Sequence, residues 1–148
     1  MQTNNIKKPI GLFFYDKSIT YITYHQKQTT IFSNQAYTIF HSLTYVLNEL
    51  LLPYLKTYDG YKKAYQKLFN QTSYIPIQLS STCILLPMYG YRSQSNVLLN
   101  IFEIDTFQSN GYGCLVHMTN DQTIYVEKTC HSIKNHMKKA LFNHNLIK

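Results

Sequence analysis

The sequence predicts one α+β domain, built mainly from antiparallel strands together with two or three helices. Short runs of β-branched and aromatic residues recur between polar turns, and other segments repeat apolar residues at three- and four-residue steps. A length of 148 residues fits one domain, and 45% hydrophobic against 14% charged residues leaves apolar surface to bury. We expect this domain to span 1–148, with a flexible N-terminus over 1–9 and a frayed C-terminus over 143–148.

Aromatic and β-branched residues lie between polar turns in the first third of the chain, and they predict strands at residues 12–15, 19–24 and 29–32. The middle of the chain predicts three more strands, at residues 75–79, 83–86 and 97–102. A final hairpin is predicted through Asn120 and Asp121, between residues 114–118 and 123–127. Strands, then helices, then strands and a last helix indicate the α+β class.

Helical spacing begins near Ser42, where the apolar residues of one face are Leu43, Val46, Leu47, Leu50 and Leu51. Pro53 is expected to end this helix. A second helix follows with Asp59 as its cap, and its predicted inward face is Tyr61, Ala64, Tyr65 and Leu68. A last helix, capped by Thr129 or Ser132, is predicted to turn inward Ile133, Met137, Ala140 and Leu141.

The net charge is +7, and lysine supplies nearly all of it because Arg92 is the only arginine. Such an excess attracts polyanions, which include nucleic acids and anionic membrane surfaces. Codon bias toward A and T would also enrich lysine, since Asn, Ile, Tyr and Phe are abundant as well. Charge alone leaves these explanations open.

No catalytic or metal-binding pattern stands out. The seven carboxylates do not pair at helix or strand spacing. Cys130 and His131 are neighbours in sequence, so their side chains point apart on a helix. The six histidines are scattered, and no two of them lie three or four residues apart. We therefore expect no enzyme activity, no metal and no cofactor.

The three cysteines, Cys83, Cys114 and Cys130, form no C-x-x-C pair. Their odd number argues against a disulfide framework. Cys83 and Cys114 lie in apolar strands, where a thiol is typically a small buried hydrophobe. The sequence shows neither the apolar core of a signal peptide nor a stretch that spans a bilayer, so we expect no membrane association and a cytoplasmic location.

Lysines cluster on the outward faces of two predicted helices. On the second helix these are Lys62, Lys63 and Lys67, and on the last helix they are Lys134, Lys138 and Lys139. Such faces can neutralise phosphates, although a merely solvated helix face gives the same spacing. Arg92 and Gln94 lie in a polar loop over 87–96, and a loop arginine can enter a narrow, A·T-rich minor groove.

Several motifs occur in a characteristic order. They are an apolar segment that begins at Ser42, then Gly60-Tyr61-Lys62-Lys63, Ile75-Pro76-Ile77, a strand that ends in Leu86-Pro87, and the loop with Arg92. This order resembles the ComK family of competence transcription factors, which shows Gly-Arg-Lys, a Pro-Ile strand, a Phe-Pro-Thr strand end and a Ser/Arg-containing loop. The similarity runs from about Ile10 to Leu141.

The resemblance implies an activator of competence genes that binds paired A/T-rich boxes of double-stranded DNA, largely through the minor groove. It also implies a homo-oligomer without a cofactor, located in the cytoplasm at the nucleoid. The residues that match the family's motifs are Gly60, Lys62, Lys63, Pro87 and Arg92. Together with the lysine faces, the predicted DNA-binding residues are Lys62, Lys63, Lys67, Arg92, Gln94, Lys134, Lys138 and Lys139.

The chain departs from the family pattern at four places. Tyr61 stands where the family has an arginine, residues 42–47 replace a Cys-aromatic-aromatic-Gly stretch, and the family's tryptophan after the loop is replaced within 97–99. The chain also ends at Lys148, short of the tail through which adaptor–protease machinery acts on longer members. These departures predict either a divergent member with an altered target or altered regulation, or a decayed paralogue.

Two other functions stay open on the sequence. Fourteen tyrosines and eight phenylalanines could form an aromatic surface that binds a protein partner without any DNA affinity. An enzyme that used Cys130 or Cys83 as nucleophile would show fast alkylation of one cysteine.

Overall fold

The computed structural model describes residue 6 and residues 9–90 and 93–147, and over these residues it confirms an α+β fold made mainly of antiparallel strands. The helices of this part are α1 (Ile10–Phe14), α2 (Leu43–Leu51), α3 (Tyr58–Phe69) and α4 (Cys130–Leu146). Its strands are β1 (Tyr21–His25), β2 (Gln28–Phe32), β3 (Ala36–Ile39), β4 (Ile77–Ser80), β5 (Cys83–Pro87), β6 (Ser95–Asn100), β7 (Ile104–Asn110), β8 (Gly113–Met118) and β9 (Thr123–Val126). Two 3₁₀ turns lie at Leu52–Tyr54 and Ile101–Glu103.

Six strands form one antiparallel sheet in the order β3-β2-β1-β6-β5-β4, and β7, β8 and β9 form a second sheet. The central pair of the large sheet is β1 with β6, in which Tyr21 lies opposite Leu99 and His25 opposite Ser95. Strands from the two halves of the chain therefore meet in the middle of the sheet.

The large sheet has a core on each face. Ile22 and Leu98 belong to the cluster beneath α1, α2 and α3, whereas their neighbours Tyr21 and Leu99 belong to the cluster shared with the second sheet and α4. Successive strand residues point to opposite faces, so this alternation follows from the pleat. The molecule is a three-layer arrangement: helices, the large sheet, then the small sheet with α4.

Two predicted helices are confirmed, and so is the predicted cap of the last one. The Ser42 side chain accepts a hydrogen bond from the Tyr45 N–H at 3.2 Å and starts α2, which ends in the 3₁₀ turn that contains Pro53. Thr129, one of the two predicted caps, accepts a hydrogen bond from the Ser132 N–H at 3.1 Å and starts α4. These caps satisfy N–H groups that a helix start leaves without partners.

The strand predicted at residues 12–15 is wrong, because this segment lies in and just after α1. The helix packs so closely on α2 that a Cβ at Gly11 would lie 2.2 Å from the Glu49 carbonyl oxygen and 2.6 Å from Pro53 Cδ. This approach buries Phe14, and the packing overrides the β preference of the aromatic residues. Strands β3 and β7 were not predicted.

Details of α3 also differ from the prediction. Its cap is Thr57, not Asp59, which lies in the first turn. Tyr58 and Tyr65 are buried, but Ala64 and Leu68 of the predicted inward face are exposed, Leu68 by 66%. The buried face of α3 is therefore the one that carries Tyr58 and Tyr65, and it differs from the predicted inward face.

The expectation of free cysteines is wrong for two of the three. Cys114 of β8 and Cys130 at the start of α4 form a disulfide across 16 residues of sequence. The sequence pattern could not reveal this bond, because only the packing of α4 on the small sheet brings the two sulfur atoms together. Cys83 is free and buried, and burial, followed by the charge of Glu103, raises its pKa to about 12.

Candidate nucleic-acid interface

A cleft of about 450 Å³ opens between α3 and the hairpin of β5 and β6. Leu47 and Leu98 contribute apolar surface to its lining. Helix α3 contributes Tyr58, Asp59, Lys62, Lys63 and Gln66, and the hairpin side contributes Pro87, Tyr89, Gly90 and Asn96. The structure therefore brings two of the predicted lysines to the same cleft as the base of the predicted reading loop.

Lys62 and Lys63 are held by neighbours on their own helix. The Lys62 ammonium lies 4.3 Å from the centroid of the Tyr58 ring, and the Lys63 ammonium lies 3.0 Å from the Asp59 carboxylate. The second pair is exposed and spaced four residues apart, so it contributes only a few tenths of a kcal/mol. A phosphate could replace Asp59 as the partner of Lys63 at little cost.

The start of α3 explains the glycine of the family motif. The Gly60 N–H donates a hydrogen bond to Thr57 Oγ1 at 3.1 Å, and a Cβ at Gly60 would lie 2.9 Å from that oxygen. A larger residue would crowd the capping hydroxyl, so glycine at this position preserves the cap and with it the orientation of the two lysines that follow.

Tyr61 does not line this cleft. Its hydroxyl accepts a hydrogen bond from the Gln78 N–H at 3.0 Å, and burial raises its pKa. The Lys56 ammonium lies 5.8 Å from the centroid of its ring. The position that carries an arginine in the family pattern thus helps to attach α3 to β4 in this chain.

The loop between β5 and β6 is fixed at its base by Asn96, which is 2% exposed. The Asn96 side-chain amide donates to the carbonyls of Tyr89 at 3.0 Å and Gly90 at 3.3 Å, and its oxygen accepts from the Tyr89 N–H at 3.1 Å. Arg92, the predicted groove-reading residue, lies outside the described residues. Gln94 is exposed, and its carbonyl accepts from the Gln26 N–H at 3.4 Å, so it lies beside the turn between β1 and β2.

The remaining predicted lysines lie at different places. Lys67 is exposed in the last turn of α3 and does not line the cleft. The Lys134 ammonium lies 5.4 Å from the centroid of the Phe107 ring of β7, and the exposed Lys138 follows one turn later. Lys139 is close enough to His136 to affect its protonation. The lysines of α4 thus divide between two flanks of the helix.

Sequence reasoning missed Lys128, which precedes the cap of α4. Its ammonium lies 3.7 Å from the centroid of the Tyr74 ring, and Tyr74 lines the cleft. Burial lowers the pKa of Lys128. The pKa of His136, whose ring lies 5.3 Å from that of Tyr74, is also lowered by burial and by the charges of Lys128 and Lys139. The sequence signal that could have indicated Lys128 is its position directly before Thr129, a predicted helix cap.

Within residues 6, 9–90 and 93–147, no group of three or more His, Cys, Asp and Glu side chains is placed to hold a metal ion. No helix in that part of the chain is long and apolar enough to cross a membrane.

The fold and the cleft define a class, namely a basic α+β protein in which two lysines of a helix line a cleft beside a hairpin. The family model described as ComK protein matches residues 18–147 of this chain. The chain therefore belongs to the ComK family, a family of competence transcription factors and not of enzymes. No curated protein and no solved structure matches it.

Proposed function

We propose that this chain is a competence-type transcriptional regulator that binds A/T-rich double-stranded DNA through the surface around the cleft. The observation that carries the proposal is that Lys62 and Lys63 line the same cleft as Tyr89 and Gly90, where the loop with Arg92 begins. Membership of the ComK family supports it. The protein would act in the cytoplasm, at the nucleoid.

In this proposal the cations divide the work of binding. Lysine–phosphate contacts position a protein on the duplex and carry no sequence information, whereas side chains in the groove select the sequence. Lys62, Lys63 and Lys67 of α3 and Lys134, Lys138 and Lys139 of α4 would contact phosphates. Arg92 and Gln94 would enter the minor groove, which distinguishes A·T from G·C pairs.

The test is fluorescence anisotropy with A/T-rich and G/C-rich duplexes across a salt series. With about six phosphate contacts, affinity should fall on the order of a thousandfold between about 50 and about 200 mM salt. Changing both Lys62→Gln and Lys63→Gln should weaken binding to every duplex and reduce the salt slope by about two. A control for one charge is Lys17→Gln, which lies outside the cleft and should keep that slope, whereas Lys63→Gln alone should reduce it by about one.

Arg92→Ala tests the groove contact separately. It should reduce the difference in affinity between A/T-rich and G/C-rich duplexes, because the negative potential that attracts an arginine is strongest in the narrow minor groove of A·T-rich DNA. If neither the paired lysine change nor Arg92→Ala alters binding, the cleft is not the DNA surface. If no duplex binds at low salt, the proposed function fails.

A second face favours association with a protein partner, which we propose to be another copy of this chain. A groove of about 480 Å³ is lined by apolar residues that include Leu55, which is 94% exposed, Leu68 and Ile147. Exposed apolar surface of this kind marks interaction sites. Leu68→Glu should shift the mass measured by light scattering toward the monomer, whereas Leu12→Glu on exposed α1 should not. Whether adaptor–protease machinery also acts on the chain stays a prediction.

A further inference from the structure

The Cys114–Cys130 disulfide joins the small sheet to the first turn of α4. Cys114 is fully buried in β8, whereas Cys130 is half-buried and its sulfur lies 3.9 Å from the hydroxyl oxygen of Ser109. One sulfur of the bond is therefore closed to solvent and the other is partly open.

The bond fixes the short segment between β9 and α4. In this segment the Glu127 N–H donates to the Tyr89 hydroxyl at 2.9 Å, and the Lys128 ammonium lies over the Tyr74 ring. Tyr74 and Tyr89 both line the cleft. Cys130 lies two residues after Lys128. The disulfide thus anchors the segment that places Lys128 beside the cleft.

We propose that this disulfide is a reversible link that controls the DNA affinity of the cleft surface, with the oxidised protein as the tighter binder. This inference rests on the proposed function. A protein that meets DNA in the cytoplasm is exposed to thiol reductants, and disulfides there are typically transient and regulatory. A bond at the edge of a binding surface suits such control.

The exchange chemistry follows from the exposure of the two sulfurs. A thiolate of a protein dithiol attacks the sulfur of Cys130, forms a mixed disulfide with it, and displaces Cys114 as a thiolate that takes up a proton. The second thiol of the reductant then attacks the mixed disulfide and releases Cys130. The protein gains two electrons and two protons, and the reductant leaves as a disulfide. A low-molecular-weight disulfide reverses the sequence.

Reduction should loosen the anchored segment more than the rest of the cleft. Without the bond, the turn between β9 and α4 keeps the Thr129 cap and the contacts of Glu127 and Lys128, none of which is covalent. Helix α3 keeps the contacts that hold Lys62 and Lys63, and its hydrogen bond to α4, from the Asn143 side-chain amide to the Tyr65 hydroxyl at 2.9 Å, lies thirteen residues beyond Cys130. The reduced protein should therefore bind DNA more weakly while it stays folded.

The experiment measures anisotropy of an A/T-rich duplex with the protein oxidised by oxidised glutathione or reduced by dithiothreitol. Both forms carry Cys83→Ala, so that Cys114 and Cys130 are the only thiols that the oxidant or the reductant can change. We expect the oxidised form to bind about fivefold or more tightly. The variant with Cys114→Ser and Cys130→Ser should bind like the reduced form and ignore the reductant.

Two further readouts are independent of DNA. In the reduced protein, hydrogen exchange should rise over residues 127–133 and stay unchanged over α3, and a maleimide should label Cys130 before Cys114. Equal DNA affinity in the two redox states, unchanged exchange, or first labelling of Cys114 would each overturn the inference and leave the proposed function intact. Absence of DNA binding in both states would overturn the proposed function and this inference with it.

Discussion

The two sides of the large sheet are stabilised by different means. On the helical side, α1, α2 and α3 pack around residues such as Leu47, and Cys83 there is a free, buried thiol. On the other side, the small sheet and α4 pack around a second cluster and are joined by the Cys114–Cys130 bond. The comparison teaches that the first side has no covalent cross-link among its described residues, whereas the second side carries a bond that a reductant can break.

The largest effect is expected from a cavity on the helical side. Leu47→Ala removes a side chain that is 1% exposed, so it should lower the free energy of unfolding by about 2–5 kcal/mol. Urea denaturation should give the same loss with and without dithiothreitol. The exposed Leu12→Ala is the control, with a change of at most about 0.5 kcal/mol. A loss from Leu47→Ala that depended on the reductant would contradict the separation of the two sides.

The next effect belongs to the other side. Changing Cys114→Ser and Cys130→Ser together should lower the free energy of unfolding of the oxidised protein by about 3 kcal/mol, because the bond closes a loop of 16 residues. The same urea measurement under reducing conditions should show most of that difference disappear. Cys83→Ala, as control, should keep the response to reductant; if it abolished the response, Cys83 would be the redox-active residue.

A smaller effect compares one helix cap from each side. In the reduced protein, Thr129→Ala and Ser42→Ala should each cost about 1 kcal/mol of unfolding free energy. Oxidation should diminish the cost of Thr129→Ala only, because the disulfide also anchors the first turn of α4. Unfolding of both variants in both redox states checks this, and equal costs throughout would show that the bond and the cap act independently.

The smallest effect is a pH dependence on the side of α4. Burial and the charges of Lys128 and Lys139 lower the pKa of His136, whose ring also contacts Tyr74. Below the usual histidine pKa of about 6.5, the unfolded chain takes up a proton that the folded chain takes up only at lower pH. Stability should therefore fall as the pH drops below that value. His136→Gln should flatten this slope in urea denaturation, and equal slopes would exclude His136 as its source.

The elements that the sequence predicted well are those whose signals are local. Helix α2 has a cap residue, an apolar face and a terminating proline within twelve residues, and the hairpin of β8 and β9 has its turn residues between two apolar runs. The prediction for α1 failed because its aromatic residues favour a strand locally, whereas the segment packs closely on α2 through Gly11, a contact that the local sequence does not reveal.

The candidate site was predictable only in its parts. Spacing correctly places Lys63, Lys134 and Lys138 on exposed helix faces, whereas Lys62 is half-buried against Tyr58. Spacing also carries no information on which side of the sheet each helix packs. Lys128 and Tyr74 lie far apart in sequence, and only tertiary packing brings them into contact. The same is true of the disulfide, whose two cysteines belong to elements that only the fold brings together.

The pairing of β1 with β6 has a consequence for synthesis on the ribosome. The meander of β1, β2 and β3 can form from residues 21–39 as soon as they emerge, but β1 then presents an open edge until Ser95–Asn100 is translated. Contacts between such distant segments form slowly, and open strand edges invite wrong pairing. During translation the edge of β1 therefore stays open to wrong pairing until β6 has been made.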